Sequence, residues 1–150
     1  MSGEQDRIDI AQAAAQQLQE IGINCTVDIP AQMDWGGQMA CLIGWGSPFD
    51  ADDHTYKVFG TDKGANYSGY SNEKVDEYLT LARQYEDQET RAKYYDLFQE
   101  ELAKDPAFAF ICYIDANYVA DSNIKGIDPD TIMGHHGVGI FWNVADWTIE

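Results

Sequence analysis

The feature that most constrains this chain is the stretch 39–53, MACLIGWGSPFDADD. It opens as an apolar run from Met39 to Ile43 and breaks at Gly44, Trp45, Gly46, Ser47, Pro48 and Phe49. It closes in the acidic cluster Asp50, Asp52 and Asp53. A short apolar run bounded by turn signals reads as a strand buried on both faces. Pro48 lacks an N–H, and the two glycines favour a turn, so the strand cannot continue. The expected result is a buried strand that delivers Trp45, Phe49 and several carboxylates to its C-terminal edge. In open α/β sheets ligands bind at that edge.

The rest of the chain reads as support for that turn. Ile8, Ala11, Ala14, Ala15, Leu18 and Ile21 recur at helical spacing and predict an amphipathic helix over 4–21, stopped by Gly22. Residues 23–29 are β-rich and predict a strand ended by Pro30. Residues 32–37 form a connection, with Trp35 assigned to the core. Asp52 or Asp53 is expected to cap a short helix over 54–59. Three glycines between Gly60 and Gly69 mark a loop. Ser71 or Asn72 then caps a helix carrying Val75, Tyr78, Leu79 and Ala82, and Asp87 caps another carrying Ala92, Tyr95, Phe98 and Leu102. Pairs such as Glu100 and Lys104 fit their solvated faces, and Pro106 ends the second helix. Residues 108–114, apolar throughout, predict a second central strand, with 117–120 as its hairpin partner. The chain beyond Asn123 is turn-rich, with late apolar pieces at 140–144 and Trp147. Helices alternating with strands define an α/β class, a central mixed sheet flanked by helices.

Charge narrows the partners. With 26 acidic and 9 basic residues the formal net charge is −17, and no basic face is visible, so nucleic acid is not an expected partner. The acidic field keeps the chain soluble and favours cationic ligands. Cys25, Cys41 and Cys112 sit in apolar stretches, so three buried, inert thiols are expected, without a disulfide framework or zinc spacing. No segment reaches the roughly 20 apolar residues that span a membrane, and no signal peptide is read at the start of the sequence.

Catalytic readings find little support. No Gly-x-Ser-x-Gly elbow and no phosphate-binding loop are present. Asp50, Asp52, Asp53 and His54 crowd together, and His135 adjoins His136, which raises the alternative of a metal-dependent hydrolase using Asp50, Asp52, His54 and His135. Adjacent side chains seldom converge on one ion, and the spacing matches neither an EF-hand nor a zincin. A capped helix and an exposed histidine loop account for these residues more simply. Trp45, Phe49, Tyr56 and Tyr67 are candidate pocket aromatics, with core packing the default for each. Trp45 and Phe49 stand out because they lie on a Gly/Pro turn after an apolar run.

Several segments, in order, resemble the peptide, dipeptide and nickel-binding branch (family 5) of substrate-binding proteins of ABC importers. The resemblance lies in Arg7, Ile8 and Ala11 through Leu18, Ile21 and Gly22; in GWGSPFDADDHTY; and in Asn66 to Asp76. It continues in Asp87 with Arg91, in Phe98 and Gln99 with Asp105 and Pro106, and in Asn123 to Gly126. Each piece is weak alone, and the ordered combination is specific.

That resemblance implies a periplasmic-binding-protein-like lobe, the C-terminal one of a longer two-lobed protein, with residues 1–150 as a single domain. It implies an extracytoplasmic parent, in the periplasm or as a cell-surface lipoprotein, that captures a peptide or related small solute. The other partners it implies are the ABC permease transmembrane subunits and the missing N-terminal lobe. It implies no catalysis, no cofactor and no metal as a resident group. The ligand-binding residues it points to are Trp45, Gly46, Ser47, Phe49 and Asp50. Peptide binders of this family place an aspartate shortly after the tryptophan to pair with the peptide amino group. Pro48 stands at that position here, and Asp50 two residues on is the substitute. The Ser-Pro-Phe-Asp segment is instead similar to the Ala-Pro-Tyr-Asp form of nickel-chelate binders, whose aromatic residue, Phe49 here, faces the ligand. The nickel-reaching histidine of that branch has no counterpart between Gly60 and Gly69. Peptide is the expected cargo on frequency, with nickel chelate as the alternative. A third reading is a domain that touches the permease and never the ligand.

Overall fold

The computed structural model describes residues 3–32, 40–46, 50–115, 117–128 and 139–150. Two compact units are present, residues 1–44 and 45–150.

The first unit is built on helix α1, Gly3–Glu20. Arg7, Ile8, Ile10, Ala11, Ala14, Ala15 and Leu18 are its half-buried positions, the stripe that the 3.6-residue period predicts. Its end is a Schellman motif. The Ile23 N–H donates to Leu18 O and the Gly22 N–H to Gln19 O, both at 3.0 Å. Gly22 has φ +87°, a left-handed conformation that suits glycine. Residues 23–30 and 40–44 follow without regular structure.

The second unit is helical. Helix α2 spans Ala51–Phe59, α3 spans Glu73–Ala82 and α4 spans Gln88–Lys104. Side-chain caps start all three. The Asp50 carboxylate accepts from the Asp52 N–H, the Asn72 amide oxygen from the Lys74 and Val75 N–H groups, and the Asp87 carboxylate from the Thr90 N–H. Asp50 caps α2, in place of the expected Asp52 or Asp53. Those two fall in its first turn, where the helix dipole favours negative charge. At the other end of α2, Gly60 is required by space, because a Cβ there would lie 2.7 Å from Tyr56 O.

Val75, Leu79 and Ala82 of α3 bury themselves against Tyr95, Phe98 and Leu102 of α4, and Tyr56, Phe59, Tyr70, Tyr78, Tyr94 and Ala107 pack around them. The six buried residues of this core all come from the two helical stripes legible in the sequence. Leu79 and Val75 are fully buried, as is Val58 of α2.

The sheet corrects the expected architecture. Among the described residues the one ladder is a two-stranded antiparallel pair, β1 (Ile124–Lys125) with β2 (Thr148–Ile149), in register Ile124 to Ile149 and Lys125 to Thr148. A kinked 3-10 segment, Gly139–Asp146, precedes β2. The runs expected as strands at 23–29, 40–43, 108–114 and 117–120 are irregular. Ala40 and Cys41 are exposed and Leu42 and Ile43 half-buried, so the run before Trp45 is not a doubly buried strand. Phe110, Ile111, Tyr113 and Ile114 are exposed as well, Tyr113 completely. Cys25, Cys41 and Cys112 are exposed free thiols and not buried ones. The physical reason is shared. A strand is made by a neighbour that satisfies its backbone N–H and C=O groups, and these runs have no such neighbour among the described residues. Trp35, His135 and His136 lie outside the described residues. No described helix is long and apolar enough to cross a membrane.

Candidate functional site

Trp45 is the first residue of the second unit, and its side chain is not core, with 37% of the residue exposed. Its ring lies nearly parallel to Tyr67, with centroids 6.3 Å apart and planes 6° apart, an offset-stacked arrangement. His54 closes a third side at 5.5 Å, tilted by 50°. Gly46 is half-buried beside Trp45. Ser47, Pro48 and Phe49 lie outside the described residues. Three rings from three stretches of the chain therefore meet: Trp45 ahead of α2, His54 in the first turns of α2, and Tyr67 in the loop 60–70.

His54 has a further property. Its Nδ1 is buried without a hydrogen-bond partner among the described residues, although 24% of the side chain is accessible and Asp53 Oδ2 stands 3.8 Å away. A buried nitrogen without a partner carries a desolvation cost, and such costs gather at functional positions.

The acidic cluster does not converge; each carboxylate has its own cation. Asp50 takes a two-pronged grip from Arg91 of α4, Nη1 to Oδ2 at 2.9 Å and Nη2 to Oδ1 at 2.6 Å, while Oδ1 also accepts from the Asp52 N–H at 2.8 Å. The Arg91 guanidinium holds the Asp50 carboxyl below its ordinary range, helped by the Asp52 N–H, and Asp50 in turn raises Arg91. Asp53 pairs with Lys57 at 2.9 Å, a hydrogen bond that lowers its pKa. Asp52 Oδ1 lies 3.2 Å from Arg83 Nε, close enough for an ion pair yet not aligned as a hydrogen bond. Arg83 also covers the Tyr56 ring at 4.0 Å. Among the described residues, no group of three or more His, Cys, Asp and Glu side chains is arranged to hold a metal ion. Two of the carboxylates tie α2 to its surroundings, Asp50 to α4 and Asp52 to Arg83 at the end of α3, while Asp53 pairs within α2.

Among the described residues an open apolar groove of about 570 Å³ is lined by Phe59, Phe98, Leu102, Phe110 and Tyr113 among others. Trp45 does not line it. Phe110 and Tyr113 on its wall belong to the 108–114 run expected as a buried strand, and most of the remaining wall comes from α2 and α4, so the groove has the character of uncovered core.

Of the residues the sequence singled out, the structure brings Trp45 together with Tyr67 and His54 and ties Asp50 to Arg91. Tyr67 was visible as a candidate aromatic and His54 as part of an acidic run. Their approach to Trp45 is a tertiary fact that no local pattern encodes.

No family model matches the chain, and none of the curated proteins matches it. Among solved structures, the chain is similar to NikZ from Campylobacter jejuni, crystallised in complex with Ni(L-His). Identity is 35%, the TM-score is 0.75, and the match covers 99% of this chain and 32% of NikZ. The chain thus corresponds along its whole length to about a third of a longer protein that holds a small metal chelate.

Proposed function

We propose that this chain is the C-terminal lobe of a two-lobed solute-binding protein that works outside the cytoplasm. It captures a small solute and delivers it to the transmembrane subunits of an ABC permease, and it catalyses nothing. The observation that carries this reading is the exposed Trp45 ring, flanked by Tyr67 and His54, on a chain whose full length resembles part of a nickel–histidine-bound protein. Trp45 and Gly46, with Ser47 and Phe49 next along the sequence, are the proposed ligand-facing residues. Flat rings of this kind suit a planar imidazole or a chelate ring.

Two cargoes divide the reading, and nickel–histidine chelate is the better supported. Peptide capture at this turn calls for a carboxylate to meet the amino group. Both Asp50 oxygens already accept from Arg91 or the Asp52 N–H, so a peptide amino group would have to compete with Arg91 for this carboxylate. NikZ supplies the second support.

The test is calorimetric titration of the chain with Ni(II) in excess L-histidine and, separately, with a mixture of short peptides. The expected result is weak, saturable heat with the nickel–histidine mixture that Trp45→Ala abolishes. Binding is weak because half of a two-lobed site is absent and the ring face stays open to water. Tighter binding of peptides, or nickel–histidine binding that Trp45→Ala leaves unchanged, would overturn the reading.

A further inference from the structure

The ring pair depends on a loop, and one side chain organises that loop. The Asn66 amide has two N–H donors and an oxygen able to accept twice. All four are used: Nδ2 donates to Gly60 O at 2.9 Å and to Tyr70 O at 2.7 Å, while Oδ1 accepts from the Tyr70 N–H at 3.0 Å and from Ser68 Oγ at 3.2 Å. Backbone bonds complete the framework, with the Ala65 N–H donating to Lys57 O and the Asn66 N–H to Lys63 O. Asn66 thereby ties the end of α2 to the start of the segment leading into α3, across the loop that carries Tyr67. No other side chain of the loop is described with four such bonds.

We propose that Asn66 is the positioning residue of the Trp45–Tyr67 wall. It fixes the backbone on both sides of Tyr67, so the ring is set against Trp45 before any solute arrives. The bound geometry then costs little ordering entropy. Asn66 does not touch the solute; it acts through Tyr67. The solute-affinity part of this proposal rests on the function proposed above, and the ring-geometry part does not.

The two parts are tested by separate readouts on the same variants. NMR of the Trp45 ring protons, assigned with Trp45→Phe, reports the ring current of Tyr67 without any ligand. Asn66→Ala is expected to move these resonances to their positions in Tyr67→Ala, and the double variant is expected to add no further shift. Asn66→Ser, which keeps one donor and one acceptor, is expected to fall between wild type and Asn66→Ala, and it keeps the test usable if Asn66→Ala does not fold. Titration with Ni(II) and L-histidine is expected to show an affinity loss of about three- to tenfold for Asn66→Ala, the scale of one side chain that must be ordered on binding. That loss should vanish in the Tyr67→Ala background. A merely structural asparagine would lower the melting temperature while leaving the Trp45 resonances in place. Wild-type resonances in folded Asn66→Ala or Asn66→Ser overturn the proposal. Wild-type protein that ignores nickel–histidine counts against the proposed cargo, and the Trp45 resonances still decide the role of Asn66.

Discussion

Both carboxylate oxygens of Asp50 are occupied, and this gives the site a defined acid response. The Arg91 guanidinium and the Asp52 N–H favour the ionised carboxylate, so its folded pKa lies below the ordinary value near 3.9. A depressed carboxylate contributes stability that is fully present above the unfolded pKa and is lost as pH falls through the folded one. The pair is half exposed, so its share is modest. Asp50→Asn is expected to lower the melting temperature most above about pH 4, with the difference from wild type closing as pH falls further. Thermal melts between pH 2.5 and 7 read this directly. A gap that stays constant, or widens on acidification, would show that the Asp50–Arg91 pair does not hold α2. Read from sequence alone, Asp50 is expected to meet the cationic end of a ligand, because its proximity to Arg91 spans 41 residues and leaves no mark in local spacing.

At the scale of elements, α3 and α4 are held by their caps and by one apolar seam. Asn72→Ala removes an acceptor for two N–H groups and is expected to cost about 1 kcal/mol. Leu79→Ala opens a void in the α3–α4 seam and is expected to cost roughly 2–5 kcal/mol. Urea denaturation of both variants checks the order. An Asn72 variant as damaging as the Leu79 variant would place the weight on the cap and not on the seam. These elements were legible because a helix carries its own information. Asn72 and Asp87 announce starts, Gly22 a stop, and Val75, Leu79, Tyr95 and Phe98 recur with the helical period. The runs at 23–29 and 108–114 show the opposite limit. Their β-rich composition states a preference for pairing, whereas the partner that makes a strand is supplied from elsewhere. Asp50, chosen by the helix over Asp52 and Asp53, shows a smaller miss, since three acidic residues in four positions offer competing caps.

At the scale of the whole molecule, the chain covers 32% of NikZ, and among the described residues several of its apolar side chains are exposed. Phe110, Ile111, Tyr113 and Val119 are exposed, while Val58, Val75 and Leu79 are fully buried among α2, α3 and α4. The proposed two-lobed reading expects further chain to cover these runs and the rings at Trp45 to face the solute. The Trp45, Tyr67 and His54 rings already meet within residues 45–150. The most direct measurement is anomalous scattering at the nickel absorption edge from crystals grown with Ni(II) and L-histidine. An anomalous peak beside the Trp45 and Tyr67 rings is the predicted result; a nickel site remote from Trp45, with both rings against protein alone, would contradict the account.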